Sequence, residues 1–267
     1  MDVLFILVIS CLILGCAVGV MAGLLGIGGG LIIVPVLTYL LAELLKIAPQ
    51  ETIVIAIATS LSTIIFTGIS SARAHYRLGN LHRHIILWCG LGTGAGAIAG
   101  AQIASAIPGS ILKLIFACLV IAIALYMLFG RRVESNNSVT KPKLATIGML
   151  TGTLSALMGI GGGALLVPAL VWYRVNIRQA IGCAAFSGVV IACFGSSTFI
   201  VSGWHYGQLT EGYLGYIYWP ATLSIAATSI FTAPIGAKLG QQMNTQVLKN
   251  IFAVFLVIVS IRMLWGL

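Results

Sequence analysis

The chain has 267 residues, of which 60% are hydrophobic and only 7% are charged, and its formal net charge is +9. A soluble domain carries about 25% charged residues, so this composition cannot cover a water-facing surface. It excludes a soluble enzyme, a nucleic-acid-binding protein and a disordered protein. What remains is a polytopic integral membrane protein, in which the basic residues report topology.

Ten apolar segments follow one another along the chain. A helix needs about 20 apolar residues to cross about 30 Å of hydrocarbon. The apolar runs are continuous and do not alternate, which favours helices over a β-barrel. We therefore predict an all-α polytopic membrane protein, with segments at 3–27, 31–46, 52–71, 84–105, 110–130, 144–160, 164–173, 180–202, 213–235 and 245–267.

A glycine-rich element occurs twice. Residues 23–37 read GLLGIGGGLIIVPVL and residues 156–170 read ALMGIGGGALLVPAL, with 9 of 15 positions identical at an offset of 133. Weaker matches follow in the same order, among them residues 58–60 with 185–187 and residues 100–102 with 236–238. The chain is therefore predicted to contain two copies of one structural repeat. The first transmembrane repeat covers 1–130, a cytoplasmic linker covers 131–143, and the second, inverted repeat covers 144–267.

Each half contains five segments, and an odd number makes the second half enter the membrane from the opposite side. Many secondary transporters have this inverted-repeat plan, with the substrate site at the midplane between the repeats. Alternating the segments between two sides puts 11 basic residues on one side and 3 on the other, so the first side is predicted to be cytoplasmic. The 11 are Arg73, Arg77, Arg83, Arg131, Arg132, Lys141, Lys143, Arg174, Arg178, Lys238 and Lys249, and the 3 are Lys46, Lys113 and Arg262. Both termini are then expected outside, in a bacterial inner (plasma) membrane.

The second glycine element is too close to its flanking charges for two full crossings. Lys143 and Arg174 fall on the same side with only 30 residues between them, whereas two crossings need about 40. The hairpin is therefore predicted to be re-entrant or broken, with its tip Gly159–Gly163 at membrane depth. The first-half counterpart, between Asp2 and Glu43, is longer and could span the membrane; by symmetry, its tip Gly26–Gly30 is expected to approach from outside. Irregular backbone at such depth must be buried in protein or line a cavity.

The glycine breaks are the predicted binding site. The six candidate residues lack Cβ atoms and permit close approach of a ligand or of another backbone: Gly28, Gly29, Gly30, Gly161, Gly162 and Gly163. Pro35 and Pro168 are expected in the first turn of the helices that follow. The N–H groups and the positive end of a helix dipole form an anion site. The alternative interpretation is that the glycines only allow tight helix packing.

Few polar side chains accompany these breaks. Thr59, Ser60 and Ser187 are candidate donors to an oxyanion, although membrane Ser and Thr often bond to their own backbone or bridge helices. Gln102 and Lys238 occupy matching positions near segment ends. They could gate the site or attract an anion, although a lysine near a segment end more commonly extends to the membrane surface.

Acidic residues are absent from the interior of the predicted spans. The five that exist lie at segment ends or in loops, whereas a cation pump or proton relay keeps a carboxylate inside the bundle. All four histidines also lie near segment ends, and the six cysteines form no CxxC pair. We therefore predict no catalytic residues, no metal site and no cofactor, and an anion as the substrate.

The sequence resembles the TauE/SafE sulfite exporter family, also called the toluene-sulfonate uptake permease family. The resemblance rests on both GxGGGxxxVP elements, the Ala-Thr-Ser element at 58–60, the loop from His75 to Gly79-Asn80, and the Gly-Ala-Gln and Gly-Ala-Lys elements at 100–102 and 236–238. The sequence departs from the family at Phe186, where Thr is expected, and at Gln102, where Arg is frequent. The resemblance implies transport of sulfite, sulfonates, sulfoacetate or similar small anions, and family members differ in substrate and direction.

Three functional hypotheses follow from these features. The first is a secondary transporter of small sulfur-containing or organic anions that works by alternating access. Its partners would be the anion and the lipid bilayer, with protons as a candidate coupling ion. No nucleic acid is expected, and the sequence does not predict the oligomeric state. The second is a passive channel for small solutes or anions. The third is a membrane enzyme or receptor subunit, which would need a catalytic constellation that the sequence does not offer.

Overall fold

A computed structural model describes residues 3–129, 140–173, 175–206 and 211–242. Within these ranges the chain forms helices and one two-stranded hairpin: α1 (Val3–Leu25), α2 (Gly30–Leu44), α3 (Pro49–Arg77), α4 (Arg83–Ala106), α5 (Gly109–Phe129), α6 (Lys141–Leu157), α7 (Gly163–Trp172), α8 (Ile177–Ser202), β1 (Tyr213–Leu214), β2 (Ile217–Tyr218) and α9 (Trp219–Gln242). The tenth predicted segment, 245–267, and most of the predicted linker lie outside the described residues.

Five of the described helices are long and apolar enough to cross a membrane. They are α1, α4, α8 and α9 in full, and α3 from Gln50 to Arg77. The two helices that follow the glycine elements are shorter, with 15 residues in α2 and 10 in α7. The prediction of an all-α polytopic membrane protein is confirmed at this level.

The ninth predicted segment, 213–235, is wrong at its start and its end. Its first six residues form an antiparallel hairpin in which Tyr213 pairs with Tyr218. Gly215 adopts a left-handed conformation, with φ of 59°, which suits a tight two-residue turn. The helix begins only at Trp219 and continues to Gln242, so a continuous apolar run concealed a change from strand to helix.

Two pairs of helices pack side by side, α1 with α9 and α4 with α6, around the central helices α3 and α8. Glycine permits the close approach of the paired backbones. A Cβ atom on Gly148 of α6 would lie 2.5 Å from the carbonyl oxygen of Cys89 on α4, and one on Gly15 of α1 would overlap the carbonyl oxygen of Ile225 on α9. Small residues at helix interfaces are typical of membrane proteins.

Helix α3 lies at the centre of the described bundle. In the most apolar 18-residue stretch of α3, 83% is buried, compared with 33% in the corresponding stretch of α1. Helix α3 contacts α8, α9 and α2, and the hairpin strand β2 packs on it as well. It therefore sets the position of both glycine elements and of the interface with α9.

A proline in α9 is compensated by a serine from α3. Pro234 has no N–H and cannot bond to the carbonyl of Ile230 one turn earlier. The hydroxyl of Ser70 donates to that carbonyl oxygen instead, at 2.7 Å. Side-chain donors of this kind are what allow proline inside a membrane helix.

We expect Ser70→Ala to lower stability by about 1–3 kcal/mol, because the carbonyl of Ile230 loses its donor. In a Pro234→Ala background the same change should cost much less, since the new N–H can bond to Ile230. Thermal unfolding of the four proteins in detergent measures this coupling. Ser105→Ala is the control, because Ser105 is half-buried and bonds only within its own helix, to Gln102. An equal cost in both backgrounds would contradict the assignment.

Candidate functional site

The two glycine elements meet backbone to backbone. A Cβ atom on Gly28 would lie 3.1 Å from the Cα of Gly161. One on Gly30 would overlap the carbonyl oxygen of Gly159, and one on Gly163 would overlap that of Gly26. The structure therefore brings together two sequence elements that are half a chain apart.

The meeting point lies beside the middle of the two central helices. A Cβ atom on Gly28 would be 2.9 Å from the Ile64 side chain, and Ile64 lies midway along α3. A Cβ atom on Gly188, near the middle of α8, would be 3.4 Å from the amide nitrogen of Gly162. The breaks are thus surrounded by protein, as irregular backbone within a membrane requires.

Both breaks use left-handed backbone. Gly29, which precedes α2, has φ of 81°, and Gly159 has φ of 66°. Side chains with a Cβ rarely adopt this conformation. The turns therefore need glycine for their own geometry, in addition to the space that the facing backbone requires.

The prolines do not lie where the sequence pattern placed them. Helices α2 and α7 begin at Gly30 and Gly163, so Pro35 and Pro168 are each the sixth residue and not part of the first turn. The first-turn expectation was wrong because the glycines themselves become helical. Each helix start is consequently formed by glycine amides.

Neither helix start receives a side-chain cap. The amides of Gly28, Gly29, Gly161 and Gly162 have no hydrogen-bond acceptor within the ranges that the structure describes. All four residues are buried. Buried backbone N–H groups without a partner are rare in proteins, and a helix start that presents them is suited to an anion.

The predicted serines Ser60 and Ser187 differ in what they bond to. Both are fully buried. The Ser60 hydroxyl donates to the carbonyl oxygen of Gly159 at 2.8 Å and so fixes the second break to α3. The Ser187 hydroxyl has no partner among the described residues. Ser187 lies on α8 three residues after Ala184 and directly before Gly188, and both of these residues lie next to Gly162.

Two further serines, Ser155 on α6 and Ser196 on α8, are also buried without a hydrogen-bond partner in the described part of the chain. Ser155 lies in the last turn before the second break, and its carbonyl oxygen accepts a hydrogen bond from the amide of Ile160 at 2.8 Å. Ser187, which the sequence predicted, and Ser155, which it did not, are therefore both residues near the second break whose buried hydroxyls have no partner in the described part of the chain.

Thr59 belongs to a row of hydroxyl contacts along α3. Its Oγ1 accepts a hydrogen bond from the amide of Tyr218 at 3.0 Å. Farther along the helix, Ser62 lies 2.7 Å from Thr222 and Thr67 lies 2.6 Å from Ser229, oxygen to oxygen. These pairs join α3 to α9, and sequence reasoning missed both partners on α9. Thr222 and Ser229 are seven residues apart and therefore lie on the same face of α9, and this spacing is the sequence signal that could have identified them.

His75 is buried, which the interpretation of all four histidines as peripheral did not anticipate. The Asn80 amide group donates to Nδ1 of His75 at 3.2 Å, and Nε2 donates to the carbonyl oxygen of Gly23 at 3.0 Å. A neutral imidazole satisfies both bonds. Ser71 also donates to the end of α1, at Ala22. Helix α3 therefore holds the end of α1 just before the first glycine break.

The other two predicted residues lie away from the glycine breaks. Gln102 is exposed near the end of α4, and Lys238 is exposed on the last turns of α9. Lys238 borders a cavity of about 200 Å³ together with Arg73 and Arg77 of α3. Within the described ranges, no three His, Cys, Asp or Glu side chains cluster as metal ligands would.

Comparison with known proteins gives consistent matches over the full length. The protein family described as sulfite exporter TauE/SafE matches residues 11–263. A probable membrane transporter protein of Haemophilus influenzae is 39% identical over 97% of this chain and 99% of its own length. Probable membrane transporter proteins of Methanocaldococcus jannaschii and Bacillus subtilis (YunE) are 26% and 25% identical, over 97% and 95% of this chain and 97% and 96% of their own lengths.

No solved structure matches the chain. The match to the family covers both glycine elements and nearly the whole sequence, and the relative from Haemophilus influenzae agrees with it. The resemblance predicted from the sequence is confirmed: the chain belongs to the sulfite exporter TauE/SafE family.

Proposed function

We propose that this membrane transporter, as its family and its relatives are described, is a secondary transporter of small sulfur-containing or organic anions, such as sulfite, sulfonates and sulfoacetate. The observation that supports the proposal is the meeting of two uncapped helix starts with buried amides that are unpaired among the described residues, next to helix α8, which carries the buried and likewise unpaired hydroxyl of Ser187. All of these groups donate hydrogen bonds, and donors select an anion.

The proposed substrate-binding site, called the central seat below, is formed chiefly by the second break. The amides of Gly161 and Gly162 and the hydroxyl of Ser187 bind the oxyanion, and the Gly28–Gly30 backbone faces them from the first break. Thr59 and Ser60 hold the surrounding backbone through Tyr218 and Gly159. Their part in binding is therefore indirect.

The distribution of acids supports an anion over a cation. In the described helices the acidic residues are Glu43 and Glu51, both at helix ends. Glu51 accepts a hydrogen bond from Tyr206 at 2.5 Å, and Glu43 lies 4.0 Å from Lys46. A proton relay through the bundle would need a carboxylate that these helices do not carry. Proton coupling would therefore go through a histidine, a cysteine or the protonated form of a weakly acidic substrate such as sulfite.

The repeats at 1–130 and 144–267, joined by 131–143, are proposed to be inverted. The packing of α1 on α9 and of α6 on α4 supports this. In each pair the first helix of one half, α1 or α6, packs on the fourth segment of the other half, α9 or α4. Individual contacts repeat as well: Gly15 approaches Ile225, and Gly148, 133 residues later, approaches Cys89. Each glycine element then forms the tip of a re-entrant hairpin from its own side of the membrane.

Alternating access follows from this arrangement. In the described conformation the two breaks touch and separate the two ends of the bundle. Rocking of one half against the other would open the seat to one side at a time. The side that carries Arg73, Arg77 and Lys238 is proposed to be cytoplasmic in a bacterial inner membrane, with both termini outside.

The test is flux of labelled sulfite, methanesulfonate and sulfoacetate in proteoliposomes. We expect saturable uptake of at least one of them, together with transient accumulation of label when unlabelled substrate is loaded on the opposite side. Flux that does not saturate and shows no such accumulation would favour the passive channel. Folded protein that moves none of these anions would contradict the proposal.

A further inference from the structure

A second anion site is suggested by the cavity between α3 and α9. The cavity has a volume of about 200 Å³ and is lined by Arg73 and Arg77 of α3 and by Pro234 and Lys238 of α9. Its volume corresponds to about six water molecules. A small organic anion fits such a space.

Among the residues that the structure describes, no acidic side chain forms an ion pair with the three cations of this cavity. The ion pair recorded in the described ranges joins Lys46 to Glu43, three residues apart at the C-terminal end of α2. Arg73 and Arg77 are one helical turn apart, and like charges at this spacing repel. An anion in the cavity would relieve the repulsion among all three side chains.

The remaining walls of the cavity are apolar. Ala74, Leu78 and Pro234 line it, and Ser70, the polar residue beside them, gives its hydroxyl to the carbonyl of Ile230. A cationic rim above an apolar floor suits an oxyanion that carries a short carbon chain. Fully hydrated inorganic ions would gain less from such a floor.

We propose that this cavity, the α3–α9 vestibule, binds a sulfonate-, sulfate- or phosphate-type group, either from a free organic anion or from an anionic lipid headgroup. Arg73 lies nine positions after Ile64 on α3, beside which the glycine breaks lie, and the helical rise makes this about 14 Å. The vestibule is thus distinct from the central seat. Its role as the cytoplasmic entry point rests on the proposed function, whereas binding itself does not.

The test measures the reactivity of a thiol placed in the vestibule. Ala74→Cys is introduced in a background in which the exposed Cys16, Cys118 and Cys193 are alanine, with Leu78→Cys as a second variant should the first fold poorly. The reagents are sulfonatoethyl and trimethylammonioethyl methanethiosulfonate, and Tyr76→Cys, on the same turn and 71% exposed in the native residue, is the control. We expect the anionic reagent to be favoured about tenfold or more at position 74 relative to position 76.

Neutralising the rim should remove that preference. Arg77→Gln with Lys238→Gln should bring the ratio at position 74 to that of the control, whereas Lys46→Gln should leave it unchanged. An unchanged ratio in the double variant, or the absence of any charge preference in the parent, would overturn the proposal.

Protection identifies the source of the ligand. In phosphatidylcholine nanodiscs, slower labelling with methanesulfonate than with neutral dimethyl sulfone supports a free anion. Protection that appears only in phosphatidylglycerol nanodiscs supports a lipid phosphate in the same site. Protection by neither overturns the proposal. Labelling needs no transport, so a failure of anion flux would leave this result intact and would remove only the entry role.

Discussion

Alanine in place of Gly30 or Gly163 is expected to destabilise the protein by about 3 kcal/mol or more. The added Cβ would overlap the carbonyl oxygen of Gly159 in the first case and of Gly26 in the second. Neither obstacle is a flexible side chain, so relief requires the two breaks to separate. We expect a large loss of folded protein on expression and a lower midpoint of thermal unfolding in detergent.

Gly90→Ala is the matched control for this prediction. Gly90 lies within α4, and a Cβ atom there would have no heavy atom within 4 Å. Because alanine favours a helix over glycine, the control should be as stable as the parent or slightly more so. If Gly30→Ala and Gly163→Ala unfold at the same temperature as Gly90→Ala, the contact between the two breaks is not as described.

Ser187→Ala should weaken anion binding without weakening the fold. A hydrogen bond to a charged group contributes about 1.5–3 kcal/mol, so the half-saturating concentration of the transported anion should rise about tenfold or more. The hydroxyl has no partner among the described residues, so its removal should leave the unfolding midpoint unchanged or higher. Concentration-dependent uptake into proteoliposomes and thermal unfolding measure the two quantities.

Two other serines separate binding from packing. Ser60→Ala removes the bond to Gly159 and should cost about 1 kcal/mol of stability. Ser196→Ala removes a buried, unpaired hydroxyl on the same helix as Ser187 and should change neither stability nor half-saturation. A rise in half-saturation for Ser196→Ala equal to that for Ser187→Ala would argue against a specific role of Ser187.

The glycine elements were predictable because their sequence is unusual and is repeated. Glycine triplets followed by Val-Pro at a fixed spacing report a backbone requirement directly, and the structure places the triplets in contact. The helix start was predicted incorrectly because the glycines that precede each proline are themselves helical, which places the proline at the sixth residue of the helix. Where a helix with an internal proline begins therefore depends on neighbours that local sequence does not reveal.

Features that depend on long-range contacts could not be predicted. Burial of His75 depends on the carbonyl of Gly23 on another helix, and the hairpin at residues 213–218 depends on its packing against α3. Apolar periodicity cannot distinguish a short buried strand from a helical segment. The difference between Ser60 and Ser187 is equally invisible in the repeat, since both occupy the same motif position.

The location of a bound anion is the most direct test of the central seat. Bromomethanesulfonate, added to protein in which it competes with the transported anion, allows the bromine to be located by anomalous diffraction. We predict a bromine peak beside Ser187, with the sulfonate oxygens within hydrogen-bonding distance of the Ser187 hydroxyl and the amides of Gly161 and Gly162. A peak confined to the α3–α9 vestibule, or elsewhere in the bundle, would contradict this account.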